Sequence, residues 1–291
     1  MTESGPVAVL GATGQVGSAV TRALDRLGVP SHALIRSGRP AAPGVSTRVV
    51  PEWTEEGLAH AFAGCTSAFV MVPLVEHAVE LGRTAHAALE RAGVRRVVRL
   101  SVLGGVIDDE LTLGRLHAAL DADLAARDLA SAVLRPDSFM QNLLGSATSM
   151  QQGSLTNATG DGRMALIDAD DIGECAAALL AGTAPWPDTP LDLTGPELLT
   201  HGDVARRTGR WLGHAVRYED VSPPALHAML LDFGVPGFLA GIFAELAAWT
   251  RRVDREEVMT DHVPRLLGRS GHRLETFLQA HASVFAPAAP D

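Results

Sequence analysis

The sequence contains little cysteine, few aromatic residues and no long apolar run. Its two cysteines, Cys65 and Cys175, lie far apart and belong to no paired motif, which excludes a disulfide framework and is typical of the reducing cytoplasm. Aromatic residues make up 4% of the chain, so a core must rest mainly on Ala, Val and Leu. No run of about 18 apolar residues occurs and the first residues do not resemble a signal peptide, so neither a membrane span nor export is expected.

Neither a metal site nor a nucleic-acid partner is expected. The 11 histidines show no HxH or HExxH spacing. Asp and Glu number 34 against 24 Lys and Arg, a net charge of −10, whereas binding to a phosphate backbone depends on Lys and Arg. With 291 residues, 46% hydrophobic and 20% charged, the composition is that of a globular enzyme with a sizeable core.

Strand and helix patterns alternate along the first two thirds of the chain. The apolar run 6–10 is followed by a glycine-rich turn, and an apolar stripe at helical spacing then begins at Val16. Residues 31–36 have the pattern of the next strand, and the alternation continues through a predicted strand at 164–167 to another at 191–193. This pattern predicts an α/β fold with a Rossmann-type, doubly wound parallel sheet.

The pattern changes after Gly195. Thr200 and Asp203 have the spacing of a capping box, and Ser222-Pro223 is typical of another helix start. Residues 215–221 are predicted to pair as an edge strand, and the chain from Pro236 onwards is mostly helical. The sequence therefore predicts a sheet domain at 1–195 and a smaller, mostly helical C-terminal cap at 196–291.

A glycine motif follows the first predicted strand. The stretch GATGQVG at 11–17 has the spacing GxxGxxG, lies directly after a strand and opens a strongly periodic helix. In a dinucleotide site the first glycine turns tightly, the second lets the backbone approach the pyrophosphate, and the third lets helix and strand pack closely. The helix N-terminus then offers N–H groups to the phosphates. The expected cofactor-binding residues of this turn are Gly11, Thr13, Gly14, Gln15, Val16 and Gly17.

The end of the second predicted strand favours NADP(H) over NAD(H). An NAD site places an acidic residue there to bind the ribose 2′-hydroxyl, whereas a 2′-phosphate needs a cation. This chain has Arg36 followed by Ser37, and no Asp or Glu occurs between Gly28 and Pro51. Arg36 and Ser37 are therefore predicted to bind the 2′-phosphate of NADPH/NADP.

Further motifs follow in a fixed order: AFVMVP at 68–73, AGVRRVV at 92–98, LRPDSFMQN at 134–142, GDG at 160–162 and LTGPE at 193–197. Together with the glycine turn, they make the chain resemble the NmrA-like branch of the atypical short-chain dehydrogenases/reductases. The resemblance covers nearly the whole chain. It implies an NADPH-dependent oxidoreductase that reduces a ketone or quinone of a polycyclic aromatic small molecule, in antibiotic tailoring or in detoxification.

The resemblance also implies where the rest of the site lies. Val72 and Pro73 would line the ribose side of the cofactor, and Ser101 and Val102 would lie near the nicotinamide. The segment from Pro136 through Ser138 to Phe139 would close over the nicotinamide ring. The cap would supply an apolar pocket for a flat substrate.

One departure from the wider superfamily concerns the proton donor. The usual pair is a Tyr with a Lys four residues later, but here Leu113 and His117 stand at those positions and the chain's single tyrosine is Tyr218. His117 lies one helical turn before Asp121, so a hydrogen bond between them is expected. His117 is a candidate general acid, with a ribose contact or a structural role as alternatives, and Ser101 is a candidate partner of the carbonyl, with turn formation as its alternative.

Three outcomes remain open without the tyrosine. The substrate can delocalise the charge itself, as a quinone, a conjugated cation or a ketone bonded to a phenol would. His117 can donate a proton. Alternatively no reaction occurs, and the protein is a non-catalytic NADP(H)-sensing regulator of the NmrA type.

Overall fold

The computed structural model describes residues 5–36, 45–103, 111–252 and 259–285. The chain forms two compact units, each assembled from separate stretches. The first unit takes Met1–Pro136, Ala169–Leu193 and His262–Arg269, and the second takes Asp137–Asp168, Thr194–Asp261 and Ser270–Asp291. The boundary predicted after residue 195 lies close to one of the points where the chain passes from the first unit to the second. Residues 137–168, which precede this boundary, belong to the second unit.

The strands of the chain form two sheets. Their bounds are β1 Val7–Leu10, β2 Ser31–Ile35, β3 Ser46–Val49, β4 Ser67–Val70, β5 Arg96–Leu100, β6 Ala130–Pro136, β7 Ser154–Asn157, β8 Leu191–Leu193 and β9 Arg217–Asp220. Seven of them form one parallel sheet of order β3-β2-β1-β4-β5-β6-β8 in the first unit. The strand order reverses between β1 and β4, which confirms the predicted doubly wound sheet.

Helices flank this sheet in two groups. The helices of the first unit are α1 Gln15–Arg26, α2 Glu55–Phe62, α3 Ala78–Arg91, α4 Thr112–Ala125, α6 Ala169–Ala181 and α10 His262–Leu267. One group contains α1, α6 and α10, and the other contains α2, α3 and α4. Helix α1 lies close to α6 because Gly173 has no side chain. A Cβ there would fall 2.6 Å from the backbone carbon of Ala19. The apolar stripe of α1 is buried as its spacing predicts.

The second unit is mostly helical and contains its own small sheet. Its helices are α5 Ala147–Gln151, α7 His201–Leu212, α8 Pro223–Asp232, α9 Gly237–Arg252, α11 Leu274–Ala280 and α12 Ala282–Phe285, with a 3₁₀ helix at Met140–Ser146. The predicted capping box of Thr200 and Asp203 is confirmed at the start of α7. The core of this unit includes Phe277, Phe285 and Val204, all fully buried. This confirms the predicted helical character of the C-terminal region.

Two strand predictions in the second unit have different outcomes. The predicted edge strand at 215–221 is confirmed as β9, which pairs in parallel with β7, a strand that the sequence analysis did not predict. The predicted strand at 164–167 is wrong, because Met164 and Ile167 form isolated bridges with Leu199 and Phe139 instead of a ladder. Its apolar residues are nevertheless buried, with Met164 and Leu166 in the core of the second unit. In the part of the chain that the structure describes, no helix has both the length and the hydropathy needed to cross a membrane.

Candidate cofactor and active site

The glycine turn after β1 is tight and leads directly into α1. Gly11 has a φ of +86°, which favours glycine, and its carbonyl accepts a hydrogen bond of 3.0 Å from the Gly14 N–H. A Cβ at Gly17 would lie 2.1 Å from that same carbonyl oxygen. Gly14 is the N-cap of α1 and brings no capping side chain. The N-terminus of α1 is therefore open to an anionic group.

Met71 is a neighbour of this turn that the sequence analysis did not single out. It follows β4, the strand beside β1, and its N–H donates to the Leu10 carbonyl at 3.2 Å. A Cβ at Gly14 would lie 2.7 Å from Met71 Cε, and one at Gly11 would lie 3.1 Å from it. The order of the strands could have indicated that Met71 lies next to the turn. The position of its side chain against Gly11 and Gly14 could not have been predicted from the sequence. The predicted residues Val72 and Pro73 follow it, half-buried and exposed respectively.

Arg36 lies directly after β2, beside the strand that carries the glycine turn. Its side chain is exposed and makes no hydrogen bond or ion pair with the residues that the structure describes. The guanidinium is therefore available to an external anion. Ser37, its predicted companion, lies outside the described residues.

A buried polar cluster occupies the carboxyl ends of β5 and β6 and the facing side of α4. Asp121 on α4 accepts hydrogen bonds from Arg99 on β5, from Ser101 Oγ at 3.0 Å and from Arg135 Nη2 on β6 at 3.0 Å. Arg99 Nη2 also donates to His117 Nδ1 at 3.1 Å. We refer to these five residues as the Asp121 cluster. The cluster brings the two candidate catalytic residues, Ser101 and His117, to one place.

The hydrogen bond predicted between His117 and Asp121 is wrong. Both residues lie on α4 with the right spacing, but Asp121 is occupied by Arg99, Ser101 and Arg135, and His117 accepts from Arg99 instead. Arg99 and Arg135 come from two strands that pair with each other, so helical spacing alone gave no signal for them. Neither arginine is predicted from the sequence as a member of the site.

The electrostatics of the cluster keep His117 neutral. Burial, reinforced by the nearby charge of Arg99, lowers the pKa of His117 to about 3. Burial also lowers the pKa of Arg99 to about 10, which Asp121 partly offsets, so Arg99 remains charged at neutral pH. Two guanidinium groups face one carboxylate, which leaves one net positive charge in the cluster. His117 is therefore not an imidazolium acid at neutral pH.

The hydroxyl and the backbone N–H of Ser101 are also engaged in hydrogen bonds. It is 4% exposed, its N–H donates to the Leu134 carbonyl at 2.7 Å, and its hydroxyl donates to Asp121. A serine hydroxyl has one hydrogen, so in this arrangement Ser101 has none left for a substrate carbonyl. Val102 follows it half-buried, and the N–H of Leu103 donates to the Pro136 carbonyl at 2.9 Å. Ser101, Val102 and Pro136 thus lie at one edge of the sheet.

Leu113, which stands where the superfamily has its tyrosine, is buried on α4. Tyr218 lies on β9 of the second unit, where its hydroxyl donates to Asp220 at 3.0 Å. Burial raises the pKa of Tyr218, which disfavours its ionisation. Leu113 thus has no proton to donate, and the Tyr218 hydroxyl is engaged by Asp220.

The predicted residues Ser138 and Phe139 begin the second unit, where Asp137 orders their segment. Asp137 is buried and accepts from the Ser138 N–H at 2.7 Å and from the Ala165 N–H at 2.8 Å. Phe139 bridges to Ile167, and the Ile167 N–H donates to the Ser138 carbonyl. Among the described residues, no group of His, Cys, Asp or Glu side chains is arranged to hold a metal ion.

The doubly wound sheet and its glycine turn define a Rossmann-type dinucleotide-binding protein. Residues 3–114 match the model of the NmrA-like family, and the chain belongs to that family. It is 30% identical to an NAD(P)H azoreductase of Xenophilus azovorans over 288 residues, which cover 97% of this chain and all of the relative. The family resemblance inferred from the motifs is thus confirmed.

Solved structures share the fold over most of the chain. The NADPH complex of an NADPH-dependent quinone oxidoreductase from Escherichia coli aligns with a TM-score of 0.81 at 25% identity, covering 95% of this chain and 99% of the other. A triphenylmethane reductase of Citrobacter sp. aligns with a TM-score of 0.83 at 22% identity, covering 94% and 99%. The second likeness is one of fold.

Proposed function

We propose that this protein is an NADPH-dependent reductase that transfers hydride to a ketone or quinone of a polycyclic aromatic small molecule. The observation that carries the proposal is the pairing of an open glycine turn with the exposed Arg36 at the end of the neighbouring strand. The relatives support it, because their names include an NAD(P)H azoreductase and an NADPH-dependent quinone oxidoreductase. NADPH, when bound, supplies the hydride.

The residues of the first unit fit this cofactor. A Cβ at Gly17 would collide with the Gly11 carbonyl, so the close approach of helix and strand at this turn needs glycine, as in a pyrophosphate-binding turn. Arg36, together with Ser37, would bind the 2′-phosphate, and Val72 with Pro73 would line the ribose. Ser101, Val102 and Pro136 would lie along the nicotinamide. Ser138 and Phe139 belong to the same proposal, in which a ribose contact is the alternative role of His117.

The chemistry of the cluster favours acceptors that delocalise their own charge. Leu113 replaces the usual acid, His117 is neutral, and the Ser101 hydroxyl donates its hydrogen bond to Asp121. A quinone, a conjugated cation or a ketone bonded to a neighbouring phenol would spread the negative charge that hydride transfer creates. The protein would then contribute positioning and exclusion of water.

A non-catalytic NADP(H) sensor is the second candidate function. The absence of both the tyrosine and the lysine favours it. Such a protein would need the glycine turn and Arg36 but no acceptor site, so the two functions differ in turnover and agree in cofactor binding.

The two candidates are separated by incubating the protein with NADPH and a panel of quinones and polycyclic ketones while following the absorbance of the reduced nicotinamide. Turnover of any acceptor supports the reductase, and Arg36→Met, which changes an exposed side chain and should weaken NADPH binding without disturbing the fold, serves as the control. Tight NADPH binding by calorimetry without turnover across the panel would support the sensor instead.

A further inference from the structure

We propose that Arg99, held by Asp121, fixes His117 as the neutral tautomer with its hydrogen on Nε2, and that this N–H donates a hydrogen bond to the acceptor oxygen. Arg99 and Asp121 are positioning residues in this proposal, and His117 is the group that contacts the substrate. The inference rests on the proposed reductase function. It replaces proton donation by hydrogen-bond donation.

The tautomer follows from the contact between Arg99 and His117. A guanidinium has only donors, so the atom 3.1 Å from Arg99 Nη2, His117 Nδ1, must present its lone pair. A neutral imidazole carries one hydrogen, which then resides on Nε2. Nε2 makes no hydrogen bond with the residues that the structure describes. It is therefore the free donor of this side chain.

The charges around the imidazole oppose its protonation. Arg99 lies against Nδ1, and Arg135 adds a second positive charge to the same cluster, while Asp121 supplies the single negative one. Burial, reinforced by the charge of Arg99, holds the pKa of His117 far below neutrality. A neutral imidazole can still stabilise a developing oxyanion through its N–H, and it does so without leaving a charged acid behind.

The cost of burying Arg99 indicates that the side chain has more than a packing role. Arg99 is 1% exposed one residue before the end of β5, and its buried Nε has no hydrogen-bond partner among the residues that the structure describes. An ion pair of this kind is often no more stable than apolar residues of the same volume. The feature that an apolar residue could not reproduce is the donor aimed at His117 Nδ1.

The place of His117 suits this role. The side chain is half-buried on α4, and the cluster that holds it contains Ser101, at the carboxyl end of β5. Ligands of doubly wound sheets bind at the carboxyl ends of the strands. The acceptor gains a hydride from NADPH and then a proton from water, so the imidazole keeps its own hydrogen throughout.

Proton–nitrogen correlation spectra of the full chain, isotope-labelled at histidine, test the tautomer without any substrate. The His117 signal is assigned by its loss in His117→Gln. We expect hydrogen on Nε2 and an unprotonated Nδ1 from about pH 5 to about pH 9. In Arg99→Met, checked for folding by circular dichroism, the signal should shift towards a mixture of tautomers and begin to titrate. Hydrogen on Nδ1 in the unmodified protein, or titration near pH 6.5, would overturn the proposal.

Matched substitutions at position 117 test the hydrogen bond in turnover. Gln places an amide N–H near the position of Nε2, Asn places it near Nδ1, and neither can act as an acid. We expect His117→Gln to keep kcat within about tenfold, and His117→Asn and His117→Phe to lose about 10²-fold, the usual effect of removing one oxyanion donor. His60→Gln, on the exposed side of α2, is the control.

The outcomes distinguish this proposal from the proposed function. If no acceptor is reduced, the reductase function fails while the spectra still determine the tautomer. If acceptors are reduced but the Gln and Phe variants have the same kcat, hydrogen-bond donation by His117 is wrong. It is also wrong if the pH profile of kcat shows a group that titrates at the same pH as the imidazole signal.

Discussion

Met71 Cε lies against the Cα of Gly14, so close that a Cβ added there would fall 2.7 Å from it. The contact differs in kind from that at Gly17, where the added Cβ would meet a backbone oxygen at 2.1 Å. A flexible thioether can move aside, whereas the Gly11 carbonyl is fixed by its hydrogen bond to Gly14. The two glycines are therefore expected to tolerate substitution differently.

Gly14→Ala should retain the fold and Gly17→Ala should not retain its stability. Gly14 has a φ of −79°, which alanine adopts readily, so we expect Gly14→Ala to lower the free energy of unfolding by no more than about 1 kcal/mol. The same substitution made in the Met71→Ala variant should cost less. Gly17→Ala must move the backbone of the turn and should lower the free energy of unfolding by about 2–3 kcal/mol or more. Thermal and chemical denaturation measure both. Equal losses of stability in Gly14→Ala and Gly17→Ala would show that the Met71 side chain does not move aside.

Arg36→Met should convert a selective protein into one with little preference between the two cofactors. Charge-assisted hydrogen bonds to a phosphate contribute about 1.5–3 kcal/mol, so NADPH affinity should fall by about 10- to 100-fold while NADH affinity stays nearly constant. Calorimetry at two salt concentrations measures this, because the difference should shrink with screening. Arg210→Met, on the exposed side of α7, is the control. Parallel losses for both cofactors would contradict a 2′-phosphate role for Arg36.

Acid should destabilise the second unit through His201. This histidine is 7% exposed and lies 2.7 Å from Thr159 Oγ1, and burial lowers its pKa from 6.5 to about 4. Because the unfolded chain binds the proton more tightly, the stability conferred by the neutral imidazole is full above about pH 6.5 and is lost as the pH falls towards about 4. At about pH 5 the loss should be about 2 kcal/mol.

The measurement is urea denaturation at both pH values for the unmodified protein and for His201→Gln, with His214→Gln, an exposed histidine, as control. The His201 variant should lose less stability on acidification than the other two proteins. The same loss in all three would assign acid sensitivity to other groups.

Asp121→Asn should destabilise the first unit strongly. The substitution leaves two guanidinium groups, one of them fully buried, without their carboxylate. Breaking such a pair from one side costs about 3–5 kcal/mol. Chemical denaturation measures this against Asp128→Asn, an exposed carboxylate just beyond α4. A change below about 1 kcal/mol would mean that solvent compensates the two arginines.

Local patterns were sufficient to predict the first unit's architecture but not its polar contacts. The β1–α1–β2 unit was predictable because its glycines and its apolar stripe act within a few residues of one another. The Asp121 cluster was not, because Arg99 and Arg135 meet only after β5 and β6 pair. The strand β7 carries the polar sequence SLTN and gains its order from β9, some sixty residues later, so it has no pattern of its own.

The interleaving of the two units restricts how the gene can be cut. A fragment ending at residue 193 would lack α10, whose His262 bonds the Asp192 carbonyl at 2.8 Å and which is followed by Arg269, an ion-pair partner of Asp171 and Glu174. It would also carry residues 137–168 without the rest of the unit to which they belong. Recombination at a single breakpoint therefore cannot exchange either unit intact between relatives, and chimeras need several junctions.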